Sequence, residues 1–228
     1  MKSAAKEIFL NFHGVGGPPY GTDEAELSYW WEEHAFLSAL DGISQEMGSN
    51  PCAVLMTFDD GNVSDVEIAL PSLLDRGMTA WFFVCAGRVG KRGYLDGPGI
   101  RRLSSAGMKV GSHGKNHVDW RKLGDAELHV EIVDAKRKLE DICGCTIDEA
   151  SVPFGSYDRR VLAKLRSSGY RRAYTSDGGT VAPDAWLKPR NTLDRSWQWK
   201  IVLEVVPARQ SYLGRLRRTM TRKFKALR

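Results

Sequence analysis

Residues 55–65 read LMTFDDGNVSD. An apolar run, Val54-Leu55-Met56 with Phe58 just beyond, ends in two adjacent carboxylates, Asp59 and Asp60, and then Gly61. Further on, SHGKNH at 112–117 follows the short run MKVG and sets His113 and His117 four residues apart. One helical turn would bring two such imidazoles to one face. Two imidazoles and one carboxylate make a three-ligand site with open positions, the layout of hydrolytic and oxygen-activating metal centres. The chain holds only five histidines, so a pair at ligand spacing carries information. Each piece also has a plainer reading. Asp60-Gly61 alone reads as a turn with Asp59 capping the next helix, and the histidines alone as independent surface groups. A third segment, SVPFGSYD at 151–158, has Pro153 and Gly155 shaping a loop whose N–H groups could face an anion. By itself it reads as a β–α turn capped by Ser156 or Asp158.

These groups must be positioned by a scaffold, and the pattern is strand then helix, several times over. Strands are expected at 6–12, 52–58, 79–85, 108–112, 148–152, 171–175 and 201–206. Helices are expected at 32–47, 63–76, 98–106, 124–142, 156–168 and 212–227. In 63–76, Val66, Ile68, Ala69, Leu70, Leu73 and Leu74 suit a buried helix, and Gly77 suits its C-terminal exit. In 124–142, Asp125 is the expected N-cap, and Leu128, Ile132, Ala135 and Leu139 recur at helical spacing. Alternation of this kind implies a parallel sheet, open or closed into a barrel, with its chemistry at the C-terminal strand ends. All three motifs fall at such ends. Neighbours on a straight strand point to opposite faces. For Asp59 and Asp60 to share a site the strand must break there, which Gly61 permits.

Composition sets the class. The 228 residues, 42% hydrophobic and 27% charged, suit one sizeable soluble core. The expected organisation is a single catalytic domain over 1–208 and a basic tail over 209–228. No run approaches the roughly 20 apolar residues of a membrane-spanning helix, and EIFLNF is too short for a signal-peptide core. The expected location is cytoplasmic. The net charge of +5 comes from the tail, which holds eight Lys and Arg and no Asp or Glu. The body is mildly acidic, which argues against a nucleic-acid partner. Cys52 and Cys85 lie in apolar runs, and Cys143-Gly-Cys145 is not a C-x-x-C pair. All four are expected to be reduced and structural.

TFDDG at 57–61, SHGKNH at 112–117 and PFG at 153–155, in this order and spacing, resemble the polysaccharide deacetylase family, whose catalytic unit is the NodB homology domain. The resemblance covers roughly 6–206. It implies an α/β fold, a distorted (β/α)7 barrel, and a metal-dependent hydrolase that removes the N-acetyl group from a sugar. It implies Asp60, His113 and His117 as metal ligands and Asp59 as the base. The metal is usually zinc, although this donor set also suits cobalt, nickel, iron or manganese. The N–H after the motif proline, here that of Phe154, would meet the oxyanion. A non-sugar amide or formamide hydrolase and a catalytically idle glycan-binding homologue stand as alternatives.

Two features of that pattern are missing. Members usually carry an Arg two residues before the proline, where this chain has Ser151, and a late His as general acid, whereas no His follows His129. Some members are circularly permuted, with the late strand and its His moved to the N-terminus. FHGV at 12–15 resembles that segment and offers His13 as the acid, while Pro189-Arg190 resembles the permuted members' Pro-Arg and offers Arg190 as the missing cation. Trp186, where the family places a pocket-lining aromatic, and Tyr157 are the expected sugar platform. Tyr29-Trp30-Trp31 is expected to pack the first helix, His34 and His129 to be ordinary surface residues, and Asp177-Gly178-Gly179 to be a turn. In the tail, Leu213, Leu216, Met220, Phe224 and Leu227 recur at helical steps among basic residues. That pattern suits either an anionic membrane surface, at the inner membrane face, or packing on the barrel.

Overall fold

A computed structural model describes residues 5–19, 22, 24–195, 199–200, 202–203 and 225. Its parallel strands are β1 (Glu7–Phe12), β2 (Ala53–Asp60), β3 (Ala80–Val84), β4 (Lys109–Ser112), β5 (Glu149–Ser151) and β6 (Arg172–Thr175). After a two-residue strand, β7 (Thr180–Val181), comes β8 (Leu187–Thr192). Neighbours run β2-β3-β4-β5-β6-β8-β1, and β1 pairs back onto β2, so seven parallel strands close into a barrel. The short β7 lies antiparallel on β1. This is the (β/α)7 barrel the resemblance implied.

Two apolar clusters hold it. Ile8, Leu10, Phe12, Val54, Met56, Phe58 and Phe82 face the surrounding helices, among them Glu33–Met47 and the run 125–143. Phe9, Phe83, Tyr174 and Val181 fill the barrel interior. Gly111 is required there, because a Cβ would sit 2.5 Å from the Phe83 ring. Alternation along β1 and β2 puts Phe9 and Asn11, then Leu55, Thr57 and Asp59, on the inner face. Toward the C-terminal mouth the interior thus turns from aromatic to polar.

The structure corrects several element boundaries. Strand pairing in β2 continues through both aspartates, with Asp60 opposite Val84. The break comes at Asp60 itself, whose φ is 81°, ahead of Gly61 at 74°. The expected strand over 201–206 is absent where it can be checked, since Val202 and Leu203 are helical. The barrel closes with Leu187–Thr192 instead. Its LKPRNT sequence hides the strand signal: the proline is atypical of a strand interior, and its inward Lys188 and Arg190 are charged. Lys188 is buried because its Nζ donates to Glu7 Oε2 at 2.7 Å and to the Ala182 and Pro183 carbonyls. Asp125 is the first helical residue and not the N-cap, which is Gly124; Glu127 reaches back to the Gly124 N–H at 2.9 Å. Asp158 caps Arg159–Ser167 by accepting from the Val161 N–H at 2.8 Å.

All four cysteines are free, with Cys52 and Cys85 buried. Among the described residues no helix is long and apolar enough to cross a membrane. The tail helix expected over 212–227 lies outside the described residues except Lys225, which is helical.

Candidate active site

The C-terminal strand ends surround a cavity of about 450 Å³ lined by His13, Asp59, Asp60, His113, His117 and Phe154, together with Glu26, Tyr29, Val152, Ser176 and Thr192. All three sequence motifs and the early histidine meet here. Among the described residues only three non-glycines adopt positive φ: Asp60 at 81°, His117 at 55° and Phe154 at 57°. Each line of backbone strain of this kind costs on the order of 1–3 kcal/mol, and such residues cluster where function requires them. At Asp60 the reason is geometric. A straight strand would aim it away from Asp59, and the left-handed turn brings it back to the same mouth.

Potential ligand atoms of Asp60, His113 and His117 all lie within 4.8 Å of one another. Asp60 Oδ1 is 3.6 Å from His117 Nε2 and 3.9 Å from His113 Nε2. His113 Nδ1 is 3.0 Å from the Ser151 carbonyl. That oxygen can only accept, so Nδ1 carries the proton and Nε2 presents a lone pair to the other two groups, the arrangement a metal-binding imidazole needs. Burial, opposed in part by Asp59, pushes the His113 pKa down to about 4, which keeps the ring neutral. The donor set therefore fits a divalent cation.

Asp59 borders this trio, its Oδ2 3.8 Å from His113 Nε2, but its own partners are different. Arg190 Nη1 and Nη2 donate to its two oxygens, both at 2.7 Å, in a bidentate pair. The guanidinium is 1% exposed and also donates to Ser151 Oγ at 2.6 Å and Asn11 Oδ1 at 2.8 Å. Asn11 Nδ2 donates to Asp59 Oδ2 at 3.2 Å. Burial alone would push the Asp59 carboxyl up, but Arg190 and His113 together hold it well below the usual carboxylate range. The small Ser151 leaves the space into which Arg190 reaches. An arginine from β8 thus stands beside Asp59 and Ser151, where the sequence pattern led to the expectation of a cation from residue 151. His13 stacks on Tyr29 with ring centroids 4.9 Å apart, and its buried Nδ1 has no hydrogen-bond partner among the described residues.

Both residues of the expected sugar platform lie elsewhere. Tyr157 is 1% exposed, and its hydroxyl donates to Asp177 Oδ2 at 2.6 Å, so its ring presents no face to a ligand. Trp186 precedes β8, at the opposite end of the barrel, where its Nε1 donates to the Tyr170 carbonyl and Arg166 lies over its ring. The aromatic surface at the mouth is Phe154, 63% exposed and 4.5 Å from the His117 ring, together with Tyr29. Of the expected packing trio, Trp30 and Trp31 are buried, and Tyr29 lines the cavity instead. Asp177 stays outside the lining, in the loop between β6 and β7, where its carboxylate accepts from Tyr157, Thr175 Oγ1 and Lys225.

Sequence reasoning also missed groups that hold the site. Arg88 Nη1 lies 3.0 Å from Asp60 Oδ1. Asp65 is a third buried carboxyl; burial, with Asp60 and Asp59 nearby, pushes its pKa well above the usual range. Glu131 accepts from the Lys115 N–H at 2.8 Å, from Asn116 Nδ2 at 2.8 Å and backbone N–H at 3.1 Å, and from Trp120 Nε1 at 3.4 Å. Its carboxylate thereby clamps the loop that carries His117. The π-helical turn Val130–Asp134 places it there, and its position inside the stripe of Leu128, Ile132 and Ala135 was a usable signal. Replacing Glu131 with Ala strands several buried donors. We expect a loss of about 3 kcal/mol of stability in urea unfolding and metal affinity about 10–100-fold weaker in a chelator competition.

A seven-stranded parallel barrel with paired aspartates and paired histidines at one mouth defines a class of hydrolase-like barrels. Within it, the sequence model described as "Polysaccharide deacetylase" matches residues 47–173, and the chain belongs to the polysaccharide deacetylase family. It is 30% identical to the chitooligosaccharide deacetylase of Bradyrhizobium sp. (strain ANU 289) over 139 residues, 60% of each protein. It is 27% identical to the peptidoglycan-N-acetylglucosamine deacetylase PgdA of Listeria monocytogenes over 114 residues, 49% of this chain and 23% of PgdA. The matched stretches thus span only 60% and 23% of these relatives' own lengths. The fold resembles that of the Streptococcus pyogenes deacetylase PplD, solved in complex with acetate, with a TM-score of 0.76 at 20% identity, covering 88% of this chain and 98% of that one. It also resembles IcaB from Ammonifex degensii, with a TM-score of 0.71 at 21% identity, covering 92% and 99%.

Proposed function

We propose that this chain hydrolyses the N-acetyl group of an N-acetylated sugar, within a polysaccharide, an oligosaccharide or a glycan precursor, using a divalent cation held by Asp60, His113 and His117. The observation that carries this reading is the separation of the two aspartates. Asp60 Oδ1 faces both imidazoles, while Asp59 faces only His113, at 3.8 Å, and has both its oxygens held by Arg190. The family membership and the deacetylase relatives supply the substrate class. Zinc is the favoured metal, because two imidazoles and one carboxylate with open positions are a usual catalytic zinc set.

A bound cation would supply Lewis acidity for the acetyl carbonyl and lower the pKa of water, toward ~7 in favourable sites. Asp59 takes the proton of the attacking water. Arg190 keeps that carboxylate ionised and fixes its plane. The Phe154 N–H, at the bend after Pro153, meets the developing oxyanion. His13 returns a proton to the leaving amine, whose sugar ring rests near Phe154 and Tyr29. That Arg190 supplies the cation absent at 151 argues against an idle homologue, because a chain that only binds glycan does not need a buried Arg–Asp pair.

The test is acetate release from N-acetylglucosamine oligomers, run with metal analysis on the same preparation. We expect about one equivalent of zinc. Chelator treatment should abolish release and added zinc should restore it; full activity in the metal-stripped protein would end the proposal. His13→Ala should lower kcat about 10²-fold, the lower range for removing a general acid, with little change in bound metal.

A further inference from the structure

Residues 85–95 follow β3 and belong to none of the three motifs, yet they deliver a cation to the candidate metal site. Arg88 Nη1 lies 3.0 Å from Asp60 Oδ1. This is the same oxygen that faces His117 Nε2 at 3.6 Å and His113 Nε2 at 3.9 Å. The guanidinium is mostly buried, lies over the Tyr94 ring at 4.9 Å, and has Glu26 Oε1 at 3.9 Å, an oxygen that is also 3.7 Å from His117 Nδ1. Its backbone is pinned to both motif loops. The Ala86 N–H donates to the Gly114 carbonyl at 2.9 Å, the Gly87 N–H to the Lys115 carbonyl at 2.8 Å, and the Leu95 N–H to the Gly61 carbonyl at 2.9 Å. Gly87 approaches the histidine loop so closely that a Cβ there would lie 2.6 Å from the Lys115 carbonyl oxygen. Arg88 is therefore a placed charge and not a wandering surface side chain.

We infer that Arg88 is a fixed counter-charge on the metal-ligating oxygen of Asp60, one that weakens the site's hold on its divalent cation and so sets its metal affinity. The inference rests on the assignment of Asp60, His113 and His117 as ligands. The charge balance leads to it. Asp59 is already neutralised by Arg190, and the two imidazoles carry no charge when they ligate. The ligating negative charge left for the cation is that of Asp60, with Glu26 Oε1 a more distant carboxylate, 3.7 Å from His117 Nδ1, and Arg88 makes its shortest contact with Asp60. The separation is far below a Debye length and the groups are buried, so salt does not screen the repulsion. A different role, in which Arg88 merely props Asp60 in its left-handed conformation, predicts the opposite sign. Losing a prop would loosen the ligand and weaken metal binding.

The measurement is zinc affinity by competition with a chromophoric chelator, on stripped full-length protein and its Arg88→Gln and Arg88→Lys variants. Arg88→Gln should bind zinc about tenfold or more tightly than wild type, while Arg88→Lys, which keeps the charge, stays within about threefold. Unchanged or weaker binding in Arg88→Gln overturns the inference. If wild type binds no zinc, the ligand assignment itself falls; if wild type binds and Arg88→Gln is no tighter, only the role of Arg88 falls. Should Arg88→Gln fail to fold, the wild-type protein still decides. The Arg88 guanidinium N–H resonances, assigned by their loss in Arg88→Lys, must shift when zinc is added, and resonances that stay in place count against the inference.

Discussion

Asp59→Asn is expected to cut acetate release about 10³-fold, within the range lost on removing a general base, while zinc content stays near that of wild type. The combination follows from the geometry. Asp59 is not among the three groups whose ligand atoms converge, so its loss leaves the cation site intact. The asparagine has no basic oxygen for the water proton. Its amide also turns an N–H toward a guanidinium that now finds only one acceptor oxygen on residue 59. Breaking one side of a buried pair costs about 3–5 kcal/mol, so a lowered urea midpoint should accompany the lost turnover. Metal analysis separates the two effects. Loss of both zinc and activity would place Asp59 among the ligands and refute its role as the base.

Arg190→Met is the companion experiment, similar in length but without donors. It leaves the Asp59 carboxylate buried and unpaired, and a destabilisation of about 3–5 kcal/mol is expected at neutral pH. The pH dependence gives the sharper test. In the native chain Arg190 holds the folded pKa of Asp59 below its unfolded value. That pairing stabilises the fold above pH ~4 and is lost as pH falls below it. The stability gap between native chain and variant should therefore narrow in acid. Without the guanidinium, burial pushes the carboxyl up, so the acid limb of the acetate-release profile should move to higher pH. A profile that keeps its acid limb would show that Arg190 does not govern the base. Adding Ser151→Arg to Arg190→Met supplies a cation from the neighbouring position and is expected to recover part of the stability.

Much of this protein could be read along its chain because the information was local. Short runs of five to seven residues alternating with helical segments gave six of the seven barrel strands. Asp59, Asp60, His113 and His117 stood out because their types and spacing suit one kind of chemistry, and the resemblance of three short motifs to one family carried the fold. His13 and Arg190 were singled out by asking which residues could replace two that were missing, and the structure brings one to the cavity and the other to Asp59. Tertiary structure decided the rest. Leu187–Thr192 closes the barrel despite its proline and its charges, since Lys188 and Arg190 meet carboxylates from strands far away in sequence. Such a strand is apolar to no local pattern. Tyr157 and Trp186 were misplaced because an aromatic near a motif can face either a cavity or a core, and only packing chooses between them. Arg88 acts through a contact 28 residues away and Glu131 through contacts 11 to 16 residues away, so what each of them holds shows in no local window. The chain's local order thus marked the groups that meet at the barrel mouth. The closed barrel alone determined how they are charged and held, because pairing energies between buried groups depend on distances in space and not on spacing in sequence.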